Sequence, residues 1–364
     1  MTNAEITTHR IFNQQIEGSK FHTPKELVGW MGAMQAQDFP MAKWAIGLRV
    51  PGSTERIVEA AYNCGDIIRT HLMRPTWHIV SADDIHWMLE LSAPQIKPLL
   101  RSRDKQLELD ESTYAKSNSL LEKILANGQS MNREALILEF NQIHIRTDEN
   151  RLSHIMFRAE LDGIVCSGPL KGNKPTYALL ADRVPGRNVF TRDEALAALA
   201  DRYFKSHGPA TLRDFVWWSG LPVRDARKAL EMIRTGLISE TIGPDTYWLP
   251  RSFSASCPGR SSIHLLPSFD EFLIGYTNRR AAISTVDHQK AISINGIFRP
   301  VMLVNGQVAG LWKRNFLKNT VKIETQHFQI LDNGTKMGIE KAATRYGLFL
   351  DKKAELSRQS VPES

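Results

Sequence analysis

Cysteine is scarce: Cys64, Cys166 and Cys257 are the only three, spaced about a hundred residues apart in a chain of 364. No C-x-x-C pair occurs, which argues against a disulfide framework or a zinc ribbon. A chain this long can bury a sizeable core and needs neither staple. Long apolar runs are missing too. No stretch of roughly 18 apolar residues is found, and the N-terminal MTNAEITTHRIFNQQIEG has no apolar signal core. The expectation is a cytoplasmic protein that neither crosses a membrane nor leaves by the usual secretory route. Several catalytic signatures are also absent: G-x-x-x-x-G-K-[ST], H-E-x-x-H and G-x-S-x-G. No lysine stands apart as a Schiff-base nucleophile. Neither a metal nor a cofactor is expected.

What is present begins with charge. The net charge is +7, and its distribution is uneven. Residues 1–278 carry 32 Lys and Arg against 32 Asp and Glu, whereas residues 279–353 carry 13 against 5. The basic excess of the last quarter suits a polyanion, or else a surface kept soluble by charge.

A pattern of helices followed by a hairpin recurs three times. In the first copy, Thr23 and Pro24 read as N-cap and first helical residue, with an apolar stripe through Leu27, Trp30, Met31 and Met34. Pro40 opens a second helix, Ser53 caps a third that ends near Gly65, and IIRTHLM with TWHIVS form a hairpin turning at Arg74-Pro75. The second copy places helices near 117–126, 131–142 and 150–162. Strands IVCSG and TYALL then flank a polar loop, Pro169 to Pro175. The third runs from Arg192 through Phe215, Trp217 and Trp218 to LISETIG and DTYWLP. Helices followed by a hairpin are the plan of the winged helix-turn-helix, whose third helix enters the major groove while the hairpin tip touches the backbone. After Pro258, IHLLPSF, FLIGY, FRPVMLV, QVAGLW and VKIETQHF read as strands, followed by a helix at 334–346. The predicted class is α+β and mainly helical: three tandem winged helices plus a small β-rich domain, divided at 1–82, 83–185, 186–256 and 257–364.

Four blocks, RTHLMRPTWHIV, HGPATLRDFVWWSGLPVRDARKAL, LLPSFDEFLIGYTNR and GIFRPVMLVNGQVAGLWKR, resemble the winged-helix DNA glycosylases of the AlkZ type. The resemblance covers roughly residues 8–330. It implies a concave channel for double-stranded DNA and removal of alkylated bases, including the unhooking of interstrand crosslinks. It also implies a catalytic signature of Gln, an apolar residue, then Gln or Asp, which stands here as Gln35-Ala36-Gln37.

The residues themselves allow that chemistry. The helical stripe stops at Met34, and Pro40 disfavours a helical Phe39. Residues 35–39 should therefore be extended, with both amides on one side. N7- and N3-alkylated purines are cationic and leave as neutral bases, so no general acid is required. A glutamine carbonyl can hold the attacking water while an NH₂ group contacts base or phosphate. Loop glutamines also satisfy backbone groups, and that bland role stays open at this point. Asp38 could place negative charge near the sugar or could cap the next helix.

Candidate DNA contacts are Arg69, His71, Arg74 and Trp77 on the first hairpin, with Trp77 either a base wedge or a core residue. Lys171 and Lys174 on the second wing, and Arg299, Lys313, Arg314 and Lys318 in the basic quarter, complete the set. Asp270 and Glu271 are paired carboxylates suited to acid–base work, or to locking the β domain through Arg279 or its neighbours. The leading expectation is a monofunctional, monomeric DNA glycosylase for cationic alkylated purines. The alternatives are a non-catalytic winged-helix DNA-binding or regulatory protein, and a protein-interaction scaffold.

Overall fold

A computed structural model describes residues 1–251 and 262–358. Cys257 and the boundary drawn at 256/257 lie outside the described residues. The chain is α+β. Helix α1 (Asn3–Asn13) precedes three units that share one order of elements, each built on a three-stranded sheet. The first contains α2 (Pro24–Met31), β1 (Ala33–Gln35), α3 (Phe39–Arg49), α4 (Glu55–Cys64), β2 (Ile67–Leu72) and β3 (Thr76–Ser81). A long helix, α5 (Ile85–Gln106), leads to α6 (Glu111–Ile124), β4 (Ser130–Met131), α7 (Arg133–Gln142), α8 (Arg151–Leu161), β5 (Val165–Lys171) and β6 (Lys174–Leu179). After the single turn α9 (Leu180–Arg183), the third unit holds α10 (Arg192–His207), β7 (Ala210–Thr211), α11 (Leu212–Ser219), α12 (Val223–Ile233), β8 (Leu237–Ile242) and β9 (Asp245–Pro250).

The C-terminal part is a five-stranded sheet: β10 (Ile263–Leu266), β11 (Val301–Val304), β12 (Gln307–Phe316), β13 (Thr320–His327) and β14 (Lys353–Arg358), in that order. Short helices α13 (Glu271–Ile274) and α14 (His288–Ala291) precede β11, and α15 (Asn333–Phe349) packs on the sheet before β14 pairs parallel to β13. None of the described helices is long and apolar enough to cross a membrane.

Several elements differ from the sequence expectation. FLIGY is the one-turn helix α13, not a strand; its four helical residues are all buried, so no alternation could distinguish the two, and Asp270 caps the turn by accepting from the Phe272 amide at 2.9 Å. Met34 belongs to β1, because Gly32 ends α2 at φ +79°. A Cβ on Gly32 would also sit 3.4 Å from the Trp218 ring. Thr54, not Ser53, caps α4, and α6 starts at Glu111 under an Asp110 cap rather than near 117. Phe39 is helical: Asp38 is the N-cap of α3, and a first-turn proline is tolerated where no N–H partner exists. The polar loop 169–175 is mostly strand, narrowing to a turn at Gly172-Asn173. The short strand heading each unit's sheet and the closing strand β14 carried no recognised pattern.

The first sheet is central. Strand alternation sends Met34, Ile67 and Ile79 into a core shared with Leu265, Trp312 and Tyr346 of the C-terminal sheet and α15. Ala33, Ile68, Leu72 and Val80 point the other way, into a core with Tyr203, Phe204, Phe215 and Trp218 of the third unit. The second unit has its own core around Leu121, Phe140 and Leu152. The β1 strand, and the Gln-Ala-Gln segment it begins, are therefore clamped between two bodies of structure.

Candidate active site

The backbone of the Gln-Ala-Gln segment is pinned at each step. The Gln35 amide donates to Glu271 Oε1 at 2.7 Å, the Ala36 amide donates to the Trp77 carbonyl at 2.7 Å, and the Ala36 carbonyl accepts from Arg69 Nε at 3.0 Å. Glu271 is buried, and its other oxygen accepts from Trp218 Nε1 at 3.0 Å and His207 Nε2 at 3.3 Å. Burial alone would raise the Glu271 carboxyl, but the bonds from His207 and the Gln35 amide outweigh it and hold it below the ordinary range. Glu271 is thus an ionised brace under the motif.

The two glutamines differ in exposure. Gln35 shares the β1 face of Ala33, is 7% exposed, and its Oε1 accepts from Arg74 Nη2 at 2.9 Å. Gln37 lies past the end of β1, is exposed, and makes no hydrogen bond among the described residues. The extended segment ends at Asp38, which caps α3 through the Met41 amide at 3.2 Å and accepts from Ser268 Oγ at 3.1 Å. Arg314 approaches Asp38 at 3.9 Å. Arg314 is largely buried against Met41 and Asp38, so it supports the motif's flank.

The first hairpin divides its candidates by face. Arg69 lies over the Trp77 ring at 4.0 Å, and His71 sits against Trp77 and Phe157, each at 3.9 Å, while bonding Glu160. Trp77 is half-buried beneath these groups and packs against the core. On the other face, His78 pairs across from Gln35 and is fully buried. Its Nδ1–H donates to the Thr76 carbonyl at 3.0 Å, leaving Nε2 bare. Burial, followed by the field of Arg74, pushes its pKa down to about 3, so the ring is neutral.

Arg74 reaches from the hairpin turn to Gln35 and lies 5.3 Å from the Trp217 ring centroid; Arg279 lies 5.8 Å from the same ring. Trp217 is exposed. Sequence reading placed it in a helix without singling it out, although the signal existed: Phe215 and Trp218 face the core, which turns Trp217 outward. Gly220 lets this unit close on the hairpin, since a Cβ there would lie 2.9 Å from the Met73 carbonyl.

Beyond Arg279, whose guanidinium is driven by burial down to about 10, a cavity of about 540 Å³ opens. Arg213, Arg280 and His288 line it, with Asp245 as its one carboxylate. Its floor is fixed by buried Asp214, which accepts from the amides and hydroxyls of both Thr211 and Thr277 at 2.7–3.0 Å.

The remaining candidates are dispersed. Lys171 donates to the Ser130 carbonyl at 2.6 Å and Lys313 pairs with Glu324 at 2.8 Å. Lys174, Arg299 and Lys318 are exposed. Asp270 does not meet Arg279, which bonds the carbonyls of Leu273 and Thr277. It forms a buried two-pronged pair with Arg49 at 2.8 and 2.9 Å, while Arg49 also holds Gln14 and the Ala45 carbonyl. Arg49 carries no sequence signal, because one arginine in an apolar helix has no spacing signature.

These features define an α+β protein of three like-ordered units and a C-terminal sheet, with a pinned carboxamide segment at their seam. The chain belongs to the AlkZ-like DNA glycosylase family, whose model (DNA glycosylase AlkZ-like) matches residues 28–349. It is 23% identical over 328 residues to the interstrand DNA cross-link repair glycosylase of Streptomyces sahachiroi, covering 85% of this chain and 87% of that protein. The solved structure of the Streptomyces sahachiroi DNA glycosylase AlkZ superposes with a TM-score of 0.80 at 20% identity, over 98% of this chain and all of that one.

Proposed function

We propose that this protein is a monofunctional DNA glycosylase that hydrolyses the N-glycosidic bond of cationic alkylated purines of the N7-alkylguanine type, and that it unhooks interstrand crosslinks. The observation that carries the reading is Gln37: a carboxamide without a partner among the described residues, on a backbone pinned at Gln35, Ala36 and Asp38, in a member of a glycosylase family. In this reading the three units act as winged helices on double-stranded DNA. The extruded nucleotide meets the segment Gln35 to Asp38. Gln37 Oε1 accepts a hydrogen bond from a water whose oxygen attacks C1′. The C1′–N9 bond breaks, its electron pair neutralises the purinium, and the water's proton passes to solvent. Asp38, 38% exposed at the end of the segment, lends negative charge toward the oxocarbenium-like sugar. An exposed Gln37 also suits crosslinks, because a crosslinked base drags a second strand that a closed pocket could not admit.

Incubation with duplex DNA bearing one N7-methylguanine should release the free base and leave an alkali-labile abasic site without enzymatic strand scission. Tight binding with no release would favour the regulatory alternative. Failure to bind DNA even at low salt would favour the protein scaffold.

The DNA path is proposed to use cations with no ion pair among the described residues: Lys174, Arg299 and Lys318, together with Arg213 and Arg280 at the mouth of the third-unit cavity. Removing Arg213 and Arg280 together should flatten the plot of log K against log[salt] by about 2, near one unit per lost phosphate contact. An unchanged slope would move the strand away from this cavity.

A further inference from the structure

Arg74 is a mostly buried cation with no ion-pair partner among the described residues. Burial depresses its guanidinium, and the charge that most offsets this, Glu271, makes no ion pair with it. Its Nε–H is buried without an acceptor among the described residues. Among the described residues the one hydrogen bond of its guanidinium is to Gln35 Oε1 at 2.9 Å. Arginine has donors only, so this contact fixes which end of the Gln35 carboxamide faces inward. The carbonyl is consumed, and the NH₂ group is left over. That nitrogen has no partner among the described residues and is not among the sealed-off polar atoms, so it keeps a path to solvent.

Orientation matters for the chemistry proposed above. As the C1′–N9 bond breaks, a purinium becomes a neutral purine, and its acceptor atoms gain electron density. A donor hydrogen bond to the base therefore strengthens along the reaction, whereas a carbonyl in the same place would favour the cationic ground state. We propose that Arg74 is a positioning residue that fixes Gln35 as a hydrogen-bond donor toward the departing base, leaving Gln37 as the acceptor for water. This division of labour rests on the reading of the Gln35–Gln37 segment as the base-excision site.

The test compares single-turnover release from N7-methylguanine duplex, binding to an uncleavable abasic analogue, and thermal melting. Arg74→Met should slow release at least tenfold, Arg74→Lys should recover part of it, and abasic-analogue affinity should change little. Combining Arg74→Met with Gln35→Ala should be no slower than Gln35→Ala alone, since Arg74 acts through Gln35. Gln35→Glu is the sharper arm. Its carboxylate pairs with Arg74, so melting should hold or rise, yet release should fall at least tenfold because the donor is gone. A Gln35→Glu enzyme with wild-type rate, a fully active Arg74→Met, or losses that multiply in the double variant would overturn the proposal. Gln37→Ala separates the two levels: if it loses its rate while Arg74→Met does not, the clamp alone falls. Full activity in Gln37→Ala brings down the underlying reading of the segment.

Discussion

Replacing Gln37 with alanine is expected to slow base release about a hundredfold while leaving folding and DNA affinity nearly unchanged. The side chain is exposed and makes no hydrogen bond among the described residues, so truncation removes little buried apolar area and breaks no bond to them. Its contribution falls on the transition state. An oriented acceptor for the attacking water is worth on the order of 3 kcal/mol, which corresponds to about two powers of ten in rate. Such a loss appears in the single-turnover rate rather than in ground-state binding. Gln37→Asp should retain part of the activity, because a carboxylate still accepts from water and favours a cationic sugar. Gln37→Glu, isosteric with glutamine, keeps an acceptor where Gln37 Oε1 stands and should retain at least as much activity as Gln37→Asp, whose carboxylate falls one methylene short. Single-turnover release from N7-methylguanine duplex, run beside binding to an abasic analogue, reads both quantities. Equal losses in the two would make Gln37 a DNA contact; no loss in either would remove it from the reaction.

The largest stability effect is expected at the seam between α3 and the C-terminal domain. Arg49 and Asp270 are both fully buried and meet through two parallel hydrogen bonds, with Arg49 further tied to Gln14 and the Ala45 carbonyl. Removing one partner leaves an uncompensated buried charge, which costs about 3–5 kcal/mol. Asp270→Ala should thus unfold at markedly lower denaturant, and base release should fall with the folded fraction. Arg49→Met combined with Asp270→Leu should recover much of the loss, because it removes both charges and keeps apolar volume. Urea unfolding of the single and double variants decides it. A loss under about 1 kcal/mol for Asp270→Ala would mean that water reaches the pair and that it does not hold the seam.

Much of the helical layout was legible in the chain itself. Thr23-Pro24 starts α2, Gly65 ends α4 in the left-handed region, and Arg74-Pro75 turns the first hairpin. These are signals of local geometry, carried by residues within a few positions of one another. Short strands such as β1 and β7 were not legible. Two or three residues cannot show a period, and what makes them strands is the hairpin that pairs with them from more than thirty residues away. The run FLIGY failed for a related reason, since four consecutively buried residues read alike as strand or helix.

The site followed the same division. The Gln-Ala-Gln segment and its acidic neighbour could be named from the sequence, and so could the hairpin residues beside them. What they touch could not. Glu271 and Arg74 were each noticed, one as a carboxylate for acid–base work and one as a DNA contact; folding brings them to the two ends of Gln35. Trp77 could be read as a base wedge or a core residue; Arg69 and His71 cover it and it packs against the core, while Trp217 is exposed.

By itself, then, the sequence determined where helices begin and end and which polar residues break the apolar pattern, because caps, turns and periodicity act over one or two turns of chain. Only the tertiary structure decided which glutamine is held and which is presented. That outcome depends on β1 lying between two cores, with Glu271 arriving from 236 positions away and Arg74 from 39, and no local pattern encodes a contact closed by the packing of separate units.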